Sequence, residues 1–227
     1  MSLLQCTNEC TTPIDWDELI FTNIKKIIKT VNRDITFLDI GANIGNVAKR
    51  VSTLPCIKTI YAIEPNKNSF NFLIENLKGV SNAKLINAAI SDTTGIIDLY
   101  SGNGTSETVN IIETSYANQQ KINSINCITL DTLRKKLQTN FDILKIDVEG
   151  SEILVLKEGI KTINSCICTL LEVHTRDTFK RLLIIAKENN WKILCAKHYH
   201  TVDLNNSNID FLYQVLITPN LSQLRIS

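Results

Sequence analysis

Ile35-Thr36-Phe37-Leu38-Asp39-Ile40-Gly41-Ala42-Asn43-Ile44-Gly45-Asn46 is the stretch that decides the fold of this chain. Ile35 to Ile40 reads as a short buried strand, Gly41 and Gly45 break it, and the apolar-periodic run from Ile44 to Leu54 reads as a helix. Outward from it the unit recurs. Lys58 to Ile63 is a strand ending at Glu64-Pro65, Lys67 to Lys78 a helix with Phe70, Leu73, Ile74 and Leu77 on one face, and Ala83 to Ile90 a third strand. Strands that alternate with helices require crossover connections and a parallel sheet covered on both faces.

From Ser91 to Asn126 the alternation stops. Gly95, Gly102 and Gly104 lie among many Ser, Thr and Asn residues, with short strand-like pieces at Ile96 to Tyr100 and Asn126 to Leu130. Long interruptions of a compact domain are usually functional, so an inserted loop and hairpin at about 91–126 is expected over the ligand edge. The alternation then resumes. Helix Asp131 to Gln138 leads to the strand Phe141-Asp142-Ile143-Leu144-Lys145-Ile146-Asp147-Val148-Glu149-Gly150, and helix Glu152 to Glu158 is stopped by Gly159. Strand Ile167 to Val173, helix Thr178 to Asn189 and strand Trp191 to Ala196 follow. Asp210 to Thr218 comes with no helix before it and is expected to pair antiparallel. Upstream, Pro13 to Val31 has the apolar spacing of an amphipathic helix, so residues 1–34 are expected to form a helical extension on a domain of 35–227. The expected fold is α/β, a doubly wound and mostly parallel seven-stranded sheet with an antiparallel last strand.

The 227 residues carry 24 basic and 23 acidic side chains, a net charge of +1 that makes no electrostatic case for a nucleic acid or an acidic membrane. No apolar run approaches the ~18 residues of a membrane span, and Met1 to Cys6 lacks a charged region followed by a signal core. A cytoplasmic location is expected. Seven cysteines, an odd number, argue against a disulfide framework. Cys166 and Cys168 are expected on one face of a strand, while Cys6 and Cys10 have metal-like spacing without a second pair. The glycosylation-type tripeptides at Asn103, Asn205 and Asn220 carry no weight without a secretion signal.

In an open α/β sheet ligands bind at the carboxyl ends of the strands, so the chemistry is sought there. Glycines after the first strand admit a ligand close to the backbone, and the helix that follows begins with unpaired amides. Gly41 and Gly45 with Asn43 between them lack the three-glycine spacing for a pyrophosphate, which disfavours a nicotinamide-dependent oxidoreductase. Asp39 suits a cationic group such as the ammonium of an amino-acid-like cofactor. Glu64, about twenty residues after the turn, is placed to accept from both hydroxyls of a ribose.

Asp39-Ile40-Gly41-Ala42-Asn43-Ile44-Gly45, Ala62-Ile63-Glu64-Pro65, Leu144-Lys145-Ile146-Asp147-Val148-Glu149-Gly150-Ser151-Glu152 and Leu171-Glu172-Val173-His174 resemble the successive motifs of the FkbM family of S-adenosylmethionine-dependent methyltransferases. The resemblance spans about Phe37 to Thr218. It implies a class I, Rossmann-like methyltransferase fold with S-adenosylmethionine across the ends of the first strands. By that resemblance Asp39, Gly41, Asn43 and Gly45 hold the methionine part and Glu64, beside Pro65, holds the ribose. Asn87-Ala88-Ala89-Ile90 borders the adenine; Ala89 stands where many relatives outside the family have an acid, and Asp92 is a reserve candidate.

Methyl transfer needs an aligned acceptor, and a hydroxyl acceptor benefits from a base. Asp147, at the strand's carboxyl end, is the first candidate to orient or deprotonate it, then Glu149. Lys145 shares the strand face of Asp147 and either acts with it or anchors it in a buried ion network. Glu149 and Glu152 also suit a helix start. His174 is a candidate base because an imidazole ordinarily titrates near neutrality, and His198 and His200 are candidates to line the acceptor pocket. Asp147, Glu149, Glu172 and His174 could hold a divalent cation, although the spacing does not demand one. The expected function is methyl transfer to a hydroxyl of a small molecule or glycan. An inactive cofactor-binding partner subunit is the alternative, and retention of Asp39, Glu64 and Asp147 speaks against it.

Overall fold

The computed structural model describes residues 16–101, 109–110, 120–198 and 213–219. Cys6, Cys10, His200, the tripeptides at Asn103, Asn205 and Asn220, and the side chain of His198 lie outside what is described. In chain order the elements are α1 (Trp16–Ile28), β1 (Ile35–Ile40), α2 (Asn46–Val51), β2 (Ile57–Ile63), α3 (Lys67–Asn76), β3 (Ala83–Ile86), β4 (Ala89–Ile90), β5 (Gly95–Ser101), β6 (Val109–Asn110) and β7 (Gln120–Ile128). They continue as α4 (Leu130–Leu137), β8 (Ile143–Ile146), α5 (Glu152–Lys157), α6 (Ile160–Ser165), β9 (Cys168–Val173), α7 (Arg176–Glu188), β10 (Lys192–His198) and β11 (Tyr213–Thr218).

The main sheet has seven strands in the order β10-β11-β9-β8-β1-β2-β3. Only β11 runs against its neighbours, inserted antiparallel between β10 and β9. This is the expected doubly wound architecture. Alternate residues of each central strand enter different cores: Ile35, Phe37, Ile60 and Ile143 pack with α1, α2 and α3, while Leu38, Ile40, Ile63, Leu144 and Ile146 pack with α4, α5 and α7. A strand buried on both faces has no polar side to show, which is why β1 and β8 read as near-continuous apolar runs. The chain order reverses at β1, which has β2 on one side and β8 on the other. That switch point leaves a crevice outside the carboxyl ends of β1 and β8.

Several boundaries differ from the sequence pattern. The third strand is two: β3 stays in the main sheet, whereas β4 pairs with β7 in a second sheet of order β4-β7-β5-β6. Between them Asn87 donates its side-chain amide to the carbonyls of Glu64 and Pro65 at 2.8 and 3.1 Å, bonds that bend the chain out of the main sheet. β5 and β7 pair antiparallel, and β7 starts at Gln120, well before the Asn126 expected from pattern. Leu130 opens α4 instead of ending a strand, because the Thr129 hydroxyl accepts from the amide of Thr132 as an N-cap. After Gly159 a further helix, α6, forms; Asp131 accepts from the amides of Lys161 and Thr162 at its start. Cys166 precedes β9 and enters one core while Cys168 enters the other, so the two do not share a face.

Candidate active site

The close approach of β1 and β8 builds the site. Gly41 has φ +74°, and a Cβ there would lie 1.7 Å from the carbonyl oxygen of Asp147. The backbone amide of Asp147 donates to the carbonyl of Ile40 at 3.0 Å, so the two strand ends stay joined to the last residue. Asn43, φ +49°, turns its amide to Glu64, donating to Oε2 at 2.8 Å; the amide of Asn66 donates to Oε1 at 2.8 Å. Glu64 is therefore held through both oxygens. Burial pushes its carboxyl up, opposed by those two amides.

Around this turn runs a cleft of about 640 Å³, open mouth included, lined by Gly41, Asn43, Glu64, Pro65, Ala89, Asp147 and Glu149 from the expected set. Ile40, Ile63, Asn66, Ser69, Ala88, Ile90, Val148 and Ser151 complete the lining. Asn66 caps α3, its side chain accepting from the amides of Asn68 and Ser69; an Asn directly ahead of a helical pattern is the signal that could have found it. The apolar members carry no signal that distinguishes them from core.

Asp39, Gly45, Lys145 and His174 stand outside the lining. Gly45, φ +89°, lets the turn pack on α3, where a Cβ would meet Leu73 Cδ1 at 2.5 Å. Asp39 and Lys145 are register partners on neighbouring strands. The buried ammonium of Lys145 donates to the carbonyl of Gly41 at 2.7 Å and lies 3.3 Å from Asp39 Oδ1 and 3.2 Å from Asp147 Oδ2. Burial alone would lower its pKa; the charges of Asp147 and Asp39 outweigh that and raise it. One cation thus ties the glycine turn, Asp39 and Asp147 together.

Burial pushes the Asp39 carboxyl up to about 6, against the pull of Lys145. The folded state then holds this proton more tightly than the unfolded chain. Its contribution to stability is complete below about pH 4 and is lost as pH rises through about 6, roughly 3 kcal/mol over that window. Asp39→Asn is expected to flatten the pH dependence of urea unfolding between about pH 4 and 6 by that order. An unchanged slope would assign the effect to another group.

His174, at the end of β9, is enclosed by acids. Its Nδ1 is 2.6 Å from Glu152 Oε1, and its Nε2 lies 3.4 Å from Glu149 Oε2, 3.6 Å from Asp147 Oδ1 and 3.8 Å from Glu172 Oε1. Burial by itself disfavours the imidazolium, but the Glu152 hydrogen bond and the charges of Glu152, Asp147 and Glu149 push its pKa up to about 10. The ring in this environment carries its proton at neutral pH, which removes the ordinary imidazole titration that made it a candidate base. Burial, then the charge of Asp147, pushes Glu172 up to about 8, and burial raises Glu149. Glu152 is more than a helix-start acid: it is fully buried and accepts from the Gly150 amide at 2.9 Å as well as facing His174.

The fold and this cleft define a class I, Rossmann-like methyltransferase. Residues 39–212 match the methyltransferase FkbM domain, and the chain belongs to that family, whose methyl donor is S-adenosylmethionine. Similar solved structures include TrmK of M. capricolum, determined with S-adenosyl-homocysteine (TM-score 0.53, 15% identity, covering 87% of this chain and 68% of that one). A precorrin-6y C5,15-methyltransferase of Geobacter metallireducens has TM-score 0.52 and 16% identity, covering 93% and 94%. An rRNA methylase of Streptococcus thermophilus has TM-score 0.52 and 10% identity, covering 88% and 95%. At these identities the likeness is one of fold. No curated protein sequence is detectably similar. Among the described residues no helix is long and apolar enough to cross a membrane.

Proposed function

We propose that this chain is an S-adenosylmethionine-dependent O-methyltransferase acting on a hydroxyl of a small molecule or glycan. One observation supports it above the others: the glycine turn and Asp147 share one cleft, with Gly41 against the Asp147 carbonyl. The residues fit the cofactor. Gly41 and Asn43 would hold its methionine part and Glu64, oriented by two amides, its ribose hydroxyls; Pro65, Ala89 and Ile90 offer apolar walls to the adenine. Asp39 and Gly45 act from beneath, through Lys145 and α3, instead of touching it. The bound cofactor supplies a sulfonium methyl, an electrophile needing only an aligned nucleophile.

The chain's own residues do the positioning. Lys145 lies 3.2 Å from Asp147 Oδ2, so the carboxylate stands at a fixed place in the cleft lining, where it can orient an acceptor hydroxyl or take its proton. Glu149 shares the lining and can take a second hydroxyl.

Calorimetric titration with S-adenosylmethionine and S-adenosylhomocysteine tests the cofactor, and absence of binding to both overturns the proposal. Transfer of labelled methyl to a panel of sugars and other hydroxyl compounds tests the acceptor; label recovered on nitrogen or carbon instead would refute the O-methyl assignment. Glu64→Gln keeps the shape but halves the accepting oxygens and removes the charge. Hydrogen bonds to charged groups are worth about 1.5–3 kcal/mol, so cofactor affinity is expected to fall roughly 10- to 100-fold. Unchanged affinity would exclude Glu64 as the ribose ligand.

A further inference from the structure

The acids around His174 share a geometry that hydroxyl binding alone leaves unused. Glu152, fully buried, occupies the Nδ1 side of the ring at 2.6 Å and so points the other nitrogen, Nε2, at Glu149 and Asp147. Asp147 Oδ1 is a buried atom with no hydrogen-bond partner. One donor atom each from Asp147, Glu149 and His174 lies within 4.8 Å of the others, and Nε2 is 3.4 Å from Glu149 Oε2 and 3.6 Å from Asp147 Oδ1. Ligands about 2.1 Å from an octahedral cation are about 3 Å apart when adjacent and about 4.2 Å apart when opposite. Three corners of one coordination sphere are therefore nearly in place. Two carboxylates suit a hard ion, the imidazole moves the preference from Mg²⁺ toward Mn²⁺, and the group has no thiolate to draw softer ions. A carboxylate on the far nitrogen is the usual backing of a metal-bound histidine, and here it is a different residue from the ligands.

We propose that Asp147 Oδ1, Glu149 Oε2 and His174 Nε2 hold one divalent cation, with Mn²⁺ the best fit, beside the cofactor cleft, with Glu152 as the residue that positions His174. The cation takes the place of the Nε2 proton, which leaves to solvent. Three protein ligands leave positions for two neighbouring oxygens. Resting on the proposed O-methyl transfer, this names the acceptor class as a vicinal diol, such as adjacent hydroxyls of a sugar ring.

The test is titration of MnCl₂ into the full chain without cofactor, free Mn²⁺ being read by electron paramagnetic resonance. One Mn²⁺ per chain is expected. Glu149→Gln and His174→Gln are expected to weaken it at least ~10-fold and Glu152→Gln by ~10- to 100-fold, while Asp98→Asn, on the second sheet, leaves it unchanged. Glu149 is the most exposed of the ligands, so its variant remains informative if His174→Gln fails to fold. No Mn²⁺ bound at about 1 mM, or wild-type affinity in Glu149→Gln, overturns the site. Titrating S-adenosylmethionine into the same samples separates the two ideas: cofactor bound without Mn²⁺ sinks only the cation, and Mn²⁺ bound without cofactor sinks only the methyltransferase proposal. With both bound, methylation of a vicinal diol but not of its singly deoxygenated analogues is expected; equal turnover of the two overturns the acceptor class.

Discussion

Turnover by Asp147→Ala is expected to fall at least ~10²- to 10⁴-fold, the range attributed to a positioned acid or base, with S-adenosylmethionine affinity within about threefold of wild type. The split follows from where the carboxylate stands. Asp147 lies at the end of β8 facing the acid and imidazole side chains, while the part of the cleft proposed for the ribose is built from Glu64, Asn43 and Asn66 on the other side of β1. Removing the side chain leaves the Asp147 carbonyl against Gly41 and leaves Lys145 with two of its partners, Asp39 and the Gly41 carbonyl. The turn proposed to receive the cofactor should therefore survive. Asp147→Asn should behave alike, since its amide keeps the shape but neither carries charge nor takes a proton. Normal turnover by either variant would remove Asp147 from the chemistry, and a parallel loss of cofactor affinity would make its role one of binding.

Gly41→Ala is expected to abolish cofactor binding and to destabilise the fold by more than about 3 kcal/mol. A Cβ at 1.7 Å from a backbone oxygen cannot be relieved by turning a side chain; β1 and β8 must separate. A left-handed backbone adds about 1–2 kcal/mol for any residue with a Cβ. Gly79 isolates that second contribution, since its φ is +89° and a Cβ there meets nothing within 4 Å. Gly79→Ala should cost only the conformational share, so the difference between the two melting curves measures the strand contact. Wild-type S-adenosylmethionine binding by Gly41→Ala would show that the close approach does not shape the site.

Much of this architecture is legible in local pattern. β1, β8 and β9 carry near-continuous apolar runs because each is covered on both faces, and the lack of a helical pattern in the sequence before β11 pointed to its reversed direction. The glycine turn and Glu64, which line one cleft, were legible as strand-end features for the same reason: backbone conformation and strand ends are local properties. Elements stabilised by distant partners were not legible. β4 leaves the third strand to pair with β7, whose Cys127 and Ile128 come almost forty residues later. α6 begins where Asp131, thirty residues upstream, accepts from its amides.

The same division runs through the site. Alternation along β8 placed Lys145 and Asp147 on one face, and they are 3.2 Å apart. It could not show that Asp39 is the register partner of Lys145 and lies 3.3 Å from its ammonium. Nor could it show four carboxylates around His174. By itself the sequence determined the doubly wound sheet, the glycine turn and the strand end that carries the acids, because residue spacing sets which face and which end a side chain occupies. Only the tertiary structure decided which charges meet. Ionisation depends on distance and burial, and those are settled when β1, β8, β9 and α5 pack side by side.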